Sequence, residues 1–209
     1  MSFDERQIDT LRDRVRASMS EWRFTHTAEV EKMAVRLGEL YLPEKLDVLR
    51  AAALLHDITK ERSTQEHIDM LISHSKAVTQ IDIMSPKTLH AKTAPLAIAD
   101  EYAEFASDEL LLAVARHTTG SADMTLLDMI IYLADYIDES RKFDDCVRLR
   151  EYFWGAHPEG METEQRAEHL YKTLLLSFDM TLSALIREGE PISPDTVDAR
   201  NATVCRLKK

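Results

Sequence analysis

At 209 residues the chain is long enough for one well-buried core, and a second full domain is not expected. The apolar fraction of 44% excludes wholesale disorder, and the formal net charge of −11 excludes the basic footprint that binding to polymeric nucleic acid requires. Residues 1–22 lack the apolar core of a signal peptide, and no apolar stretch approaches the roughly 20 residues that span a bilayer, so we expect no membrane segment.

Helical periodicity runs through nearly every segment, and strand alternation is almost absent. With only five glycines the chain is also short of the turn residues that an all-β protein needs. The predicted helices, in chain order, cover about residues 4–18, 20–41, 44–56, 63–71, 88–105, 108–116, 124–137, 144–156, 162–188 and 194–206. Residues 57–62 are predicted to form a turn, 81–87 an irregular segment and 118–121 a loop. We therefore expect one all-α domain over residues 1–209, with a helical-bundle core at about 20–140 and a C-terminal helical extension at about 144–206.

The two cysteines, Cys146 and Cys205, form no C-x-x-C pair and suggest no disulfide framework. We interpret both as free thiols in a reducing cytoplasm. Four histidines in polar surroundings are expected to be ordinary surface residues: His67, His74, His157 and His169.

A second set of histidines and aspartates is harder to assign to the surface. His56 and Asp57 follow directly on the apolar run 51–55, and Asp135 lies within the apolar run 130–137. A carboxylate in such surroundings is costly unless it is paired, protonated or bound to a metal. The alternative for Asp135 is a buried ion pair with Arg23 or Arg141.

Imidazole and carboxylate together suit divalent transition ions. His26, His56, Asp57 and Asp135 could complete a first metal site, which leaves His90 and His117 for a second ion with Asp57 as the bridge. Two metals roughly 3.5–4 Å apart can trap a hydroxide and neutralise a phosphate. The set therefore predicts hydrolysis of phosphoanhydrides or phosphoesters.

Cations and a polar loop adjoin these residues in the sequence and are candidates for phosphate binding. Lys60 and Arg141 are favoured over Lys92 and Arg116, for which a solvated surface role is the usual alternative. The remaining candidate substrate contacts are Arg23, Thr118, Thr119 and Gly120.

Longer strings around these positions carry a family resemblance. They are RFTH at 23–26, LLHDITKE at 54–61, LH at 89–90, RHTTG at 116–120, YLADYI at 132–137, and PISPDT at 191–196 with ARN at 199–201. Together they resemble the HD superfamily of metal-dependent phosphohydrolases, and within it the YqeK-like branch of symmetrical diadenosine tetraphosphatases. The sequence departs from that branch at Ala91, where glycine is frequent, and at residues 138–141, which usually begin with glutamate and proline.

The resemblance implies an all-α HD fold, a centre that holds two iron ions, and hydrolysis of diadenosine tetraphosphate to two ADP. It implies that His26, His56, Asp57 and Asp135 are metal ligands, and that His90 and His117 bind the second metal or contact phosphate. It also implies that Lys60, Thr118 and Gly120 lie at the nucleotide. Manganese, cobalt or nickel could replace iron.

We expect a metal-activated hydroxide to attack a phosphorus of the tetraphosphate. Asp57, His90, His117 and Lys60 are the expected catalytic residues. Three alternatives use the same residues: another HD-type nucleotidase or deoxynucleotide triphosphohydrolase, a sensor that binds a nucleotide such as ADP without turnover, and a helical scaffold with incidental histidines. A homodimer is a further possibility, since many of the helices are apolar.

Overall fold

The computed structural model describes residues 2–208, and within that range it contains eleven α-helices, four short 3₁₀ turns and no strand. The helices are α1 (Glu5–Ser18), α2 (Glu21–Tyr41), α3 (Leu46–Leu55), α4 (Thr64–Ser73), α5 (Gln80–Met84), α6 (Leu89–Glu101), α7 (Asp108–Arg116), α8 (Leu126–Ile137), α9 (Asp144–Gly155), α10 (Thr163–Glu188) and α11 (Pro194–Leu207). The expected all-α class is confirmed. None of these helices is long and apolar enough to cross a membrane, as far as residues 2–208 extend.

Several helix ends follow directly from capping side chains. Ser20 accepts a hydrogen bond from the amide of Arg23, and this fixes the start of α2. Ser63 and Glu66 form a capping box, in which each side chain accepts a hydrogen bond from the other's backbone amide. Gly189, in the left-handed conformation, ends α10 where predicted.

Other boundaries differ from the prediction for local reasons. The helix expected from residue 44 begins at Leu46, because Pro43 opens a separate 3₁₀ turn. The segment expected to be irregular contains the short helix α5, which Thr79 and Asp82 cap reciprocally. The helix expected to reach residue 105 ends at Glu101 and is followed by another 3₁₀ turn.

The core lies where α2, α3, α7 and α8 pack against one another. Their inward faces carry fully buried aliphatic side chains such as Leu37, Leu54, Val114 and Leu133. Each such side chain contributes roughly 2 kcal/mol to folding. The ends of these helices hold the polar cluster described below.

The C-terminal helices pack onto this core. Phe178 of α10 and Ala199 of α11 are buried in the same apolar cluster as the helices of residues 23–140. The hydroxyl of Tyr132 on α8 lies 3.0 Å from Ser177 Oγ on α10, inside the protein. The extension is thus packed against the helix that carries Asp135.

Two of the histidines expected at the surface are buried instead. His67 is buried beneath α6 and lies within hydrogen-bonding distance of Thr93 Oγ1 (2.8 Å). His169 is buried against α9, with Nε2 donating to the carbonyl of Phe153 at 3.0 Å. The prediction was wrong for both because neighbours in the sequence are polar, whereas burial comes from a helix distant in sequence. Cys146 and Cys205 are free thiols, as expected.

Candidate metal centre

The adjacent His56 and Asp57 lie where α3 gives way to a tight turn. His56 keeps helical dihedral angles as the C-cap, and the amide of Lys60 then donates to the carbonyl of Asp57 at 2.9 Å. This change of direction lets both side chains face one region although they are consecutive. His56 is fully buried and Asp57 is only 3% exposed.

The first group of side chains gathers around one oxygen of Asp57. Asp57 Oδ2 lies 3.8 Å from His26 Nε2 and 3.6 Å from His56 Nε2. Asp135 Oδ1 lies 3.0 Å from His26 Nε2 and 3.7 Å from His56 Nε2. The four residues therefore converge from α2, α3, the following turn and α8.

The second group gathers around the other oxygen of Asp57. Asp57 Oδ1 lies 3.3 Å from His90 Nε2 and 3.7 Å from His117 Nε2. These two imidazole nitrogens are 3.0 Å apart, and Thr118 Oγ1 is 3.1 Å from each. One carboxylate thus faces both groups, one oxygen to each.

The donor atoms fit a bound metal. His56 Nε2 and Asp57 Oδ1 are buried and have no hydrogen-bond partner. The other ring nitrogens of His56 and His117 donate to the carbonyls of Ala53 and Val114, both at 2.6 Å. This arrangement directs Nε2 into the cluster, as second-sphere partners do for metal-binding histidines.

Charge and burial set the protonation of the cluster. Burial acts to raise the pKa of Asp57, but His56, His117 and Lys60 outweigh it and hold that pKa well below its ordinary value. Burial lowers the pKa of His56 to about 4 and that of His90 well below its ordinary value. These groups are therefore an ionised carboxylate and neutral imidazoles, the forms that ligate metals.

His26 differs from the other histidines. Burial acts to lower its pKa, but hydrogen bonding to Asp135 and Asp138 outweighs it and raises the pKa to about 9. Metal binding at Nε2 would displace that proton, so a proton and a metal compete for this nitrogen.

Three of the cations predicted as phosphate contacts lie at the cluster: Arg23, Lys60 and Arg141. Arg23 Nη1 donates to Asp57 Oδ2 at 2.8 Å, and Lys60 Nζ lies 3.0 Å from His90 Nε2. Arg141 Nη2 lies 2.5 Å from Asp135 Oδ1, so the ion pair considered as an alternative coexists with the histidine cluster.

Lys92 and Arg116 point away from the cluster. Lys92 pairs with Asp82 at 2.6 Å, and Arg116 pairs with Asp128 at 2.7 Å. The preference for Lys60 and Arg141 therefore agrees with the positions of these side chains.

The loop after α7 places its three candidate residues differently. Thr118 contacts the cluster, whereas Thr119 Oγ1 bonds within the loop, to the carbonyl of Gly120 at 3.2 Å. Gly120 is left-handed (φ 71°), and its amide donates to the carbonyl of Arg116 at 2.9 Å. That amide is consequently engaged within the protein.

Sequence reasoning missed Asp138 as part of the site. It is fully buried, one carboxylate oxygen lies 3.5 Å from His26 Nδ1, and the other accepts from Ser140. Ser140 Oγ is itself 3.2 Å from His26 Nδ1. The only signal was a second aspartate three residues after Asp135, just beyond the apolar run.

A cavity of about 830 Å³ lies away from the cluster. It lies between α1, α2 and α3, where the buried Glu31 accepts hydrogen bonds from Arg12 and Arg50. A smaller cavity of about 270 Å³ reaches Asp57. The chemistry of the ligands therefore identifies the site better than cavity size does.

Comparison with known proteins adds relatives with similar sequences. Symmetrical bis(5'-nucleosyl)-tetraphosphatase of Halalkalibacterium halodurans is 28% identical over 93% of this chain and 95% of its own length. The enzyme of the same name from Bacillus subtilis is 29% identical over 87% of this chain and 89% of its own length.

A solved structure is similar over nearly the whole chain. It is a predicted HD superfamily hydrolase, described as involved in NAD metabolism, from Clostridium acetobutylicum. It is 28% identical, covers 99% of this chain and 100% of its own, and has a TM-score of 0.81.

The family assignment rests on a match that contains every residue of the cluster. The sequence profile of the family described as HD domain matches residues 23–140, which is more than half of the chain and runs from Arg23 to Ser140. The protein therefore belongs to the HD domain family.

Proposed function

We propose that this protein is a metal-dependent enzyme that hydrolyses diadenosine tetraphosphate symmetrically to two ADP. The two bacterial relatives named as symmetrical tetraphosphatases cover most of the chain and support this reaction. The substrate class is then the dinucleoside polyphosphates, with ADP as product.

The single observation that carries the proposal is the position of Asp57. Its two oxygens face two separate sets of imidazole and carboxylate donors. A carboxylate shared in this way is the expected bridge of a two-metal site. We assign His26, His56, Asp57 and Asp135 to one ion, and Asp57, His90 and His117 to the other.

Divalent ions bound there would polarise water and neutralise the phosphate chain. The ligand set suits iron, which we propose as the resident metal in a di-iron centre, with manganese, cobalt or nickel as possible substitutes. His90 and His117 were also considered as proton donors to the leaving ADP. The lowered pKa of His90 favours the ligand role for that residue, since a neutral imidazole binds a metal and has no surplus proton to give.

The cations are assigned two further roles, in neutralising phosphate and in orienting the carboxylates. Lys60 lies beside His90 and is the proposed charge partner of the leaving phosphate; burial lowers its pKa, although Asp57 and Asp135 act to raise it. Arg23 and Arg141 are engaged by Asp57 and Asp135 and would orient those carboxylates while facing the substrate.

Loop residues complete the proposed phosphate contacts. Thr118 is in reach of the cluster through its hydroxyl. Thr119 and Gly120 are proposed contacts at the outer end of the same loop. For Gly120 the contact would need its carbonyl or Cα, because its amide is engaged.

A product assay tests the reaction. Purified, metal-loaded protein is incubated with diadenosine tetraphosphate and the products are separated by chromatography. We expect ADP alone; ATP with AMP would overturn symmetrical cleavage. Turnover of mononucleotides only would indicate another HD-type nucleotidase, and tight binding without turnover would indicate a sensor.

Variants test the centre itself. Asp57→Ala and His56→Ala should lose bound metal and turnover together. The matched control is His157→Asn, since His157 is exposed and left-handed, a conformation that asparagine tolerates. Full turnover in either cluster variant would show that the centre is wrongly assigned.

We further propose that the enzyme acts in the cytoplasm, a location that its two free thiols support. The homodimer stays a prediction from the apolar helices.

A further inference from the structure

Trp22 is the feature of the site region that the proposed function leaves unexplained. It lies in the first turn of α2, and its side chain is 70% exposed. An indole offers a large apolar face whose burial is favourable, so an exposed tryptophan beside a polar site is a candidate contact for a planar ligand.

Two contacts place this indole next to the metal centre. The guanidinium of Arg23 lies over the Trp22 ring, 4.7 Å from its centroid. The same guanidinium donates to Asp57 Oδ2 at 2.8 Å. One side chain therefore separates the indole from the proposed bridging carboxylate.

Hydrogen bonds also hold the start of α2, the helix that carries Trp22. The amide of Ser20 donates to Glu61 Oε2 at 2.8 Å, and its hydroxyl donates to Glu61 Oε1 at 2.5 Å. Glu61 belongs to the turn that carries Asp57 and Lys60. The start of α2 is thus tied to the turn that builds the centre.

We propose that Trp22 is a stacking platform for one nucleoside base of the substrate. This rests on the proposed function, because it places the phosphates at the metal centre and the base beyond Arg23. One face of the indole is covered by the guanidinium, and the residue is 70% exposed, which leaves surface for a planar ring. Bases stack on aromatic side chains in this way regardless of their hydrogen-bonding pattern.

The arrangement assigns different parts of the nucleotide to different residues. The metal ligands and Lys60 take phosphate, whereas Trp22 takes only the base. Losing Trp22 should therefore weaken ligands that contain a base and leave base-free phosphates unaffected. It should raise KM and leave kcat unchanged, since stacking is the same in the ground state and the transition state.

The first measurement is calorimetric binding to the metal-loaded protein. ADP and inorganic pyrophosphate are titrated into wild type, Trp22→Ala, Trp22→Phe and Ile186→Ala. Ile186 is the matched control because it is an apolar side chain that is 68% exposed, at the far end of α10. We expect Trp22→Ala to weaken ADP roughly tenfold, Trp22→Phe to keep most of the affinity, and the control to match wild type.

The second measurement is fluorescence. The chain has two tryptophans, so Trp154→Phe leaves Trp22 as the single reporter. ADP should quench this emission and pyrophosphate should not.

Three results would overturn the proposal. Equal ADP affinity in Trp22→Ala and wild type would remove the stacking role. A parallel loss of pyrophosphate binding would show that the side chain acts only through Arg23. Emission that changes with protein concentration and ignores ADP would indicate a contact between two copies of the chain.

These outcomes are separable from the proposed reaction. If wild type releases no ADP from diadenosine tetraphosphate, the reaction is wrong, yet the comparison of ADP with pyrophosphate still decides the role of Trp22. If wild type releases ADP and KM is the same in Trp22→Ala, the reaction stands and the platform is wrong.

Discussion

Replacing Gly120 by alanine should strongly destabilise the protein and should also disturb the candidate metal centre. The backbone at Gly120 has φ +71°, which costs an L residue about 1–2 kcal/mol. A Cβ there would also lie 2.8 Å from Phe178 Cε1 and 2.9 Å from Ala199 Cβ. Overpacking of this kind costs about 1–3 kcal/mol, so we expect a total loss of about 2–5 kcal/mol.

Calorimetry or fluorescence melting gives the measurement. For a chain of this size each kcal/mol lowers Tm by about 2–4 °C, so Tm should fall by about 10 °C. Gly189→Ala is the matched control, because Gly189 has φ +68° but no neighbour within 4 Å of the added Cβ. It isolates the backbone cost, and we expect a fall of about 4 °C.

The difference between the two variants measures the packing of the C-terminal helices on this loop. Gly120 follows Thr118, whose hydroxyl contacts His90 and His117, so Gly120→Ala should also lose turnover well below its Tm, and Gly189→Ala should not. Equal Tm values for the two variants, or unchanged turnover in Gly120→Ala, would refute the reasoning.

Three further changes probe other parts of the molecule. Asp138→Asn should weaken metal binding about 10–100-fold in equilibrium dialysis, because it removes the carboxylate beside Nδ1 of His26. Glu31→Gln should cost about 2 kcal/mol in thermal melting, because it leaves two guanidinium groups without their shared carboxylate. Burial lowers the pKa of His67 below its ordinary 6.5. The stability that neutral His67 contributes is therefore complete above pH 6.5 and is lost as the pH falls below that value. Between pH 7.5 and pH 5, the Tm of His67→Asn should fall less than that of wild type.

Each change has a control at a less buried residue of the same type. Asp145→Asn alters an exposed aspartate in the first turn of α9 and should leave metal affinity unchanged. Glu29→Gln breaks only the surface pair with Lys32 and should change stability by less than about 1 kcal/mol. An exposed histidine, His157, should leave the pH dependence as in wild type when replaced by asparagine. Agreement between any variant and its control would contradict the corresponding prediction.

The proposed metal ligands could be predicted because they are polar residues in apolar stretches of the sequence. Asp135 stands among apolar residues of one helix and keeps 15% of its side chain exposed. His56 and Asp57 end another apolar run, and their burial followed from the local pattern alone. Asp135 Oδ1 lies 3.0 Å from His26 Nε2 and 3.7 Å from His56 Nε2. The resemblance to known phosphohydrolases supplied the order of the remaining ligands.

What escaped prediction depends on contacts between distant segments. Asp138 is the C-cap of α8 and is fully buried, although it lies just beyond the apolar run of that helix. His67 and His169 have polar neighbours in sequence and are covered by other helices. Periodicity describes one helix at a time, so burial that a second helix creates leaves no local signal.

The C-terminal extension is joined to the site by two separate contacts, and this argues against treating it as an independent appendage. Phe178 occupies the space that a Cβ at Gly120 would need, and Gly120 belongs to the loop after His117. On the other side, the hydroxyl of Tyr136, next to Asp135, lies 3.0 Å from Thr181 Oγ1 of α10. One long helix therefore contacts segments that carry proposed ligands of both metal groups, and a displacement of α10 would disturb both groups.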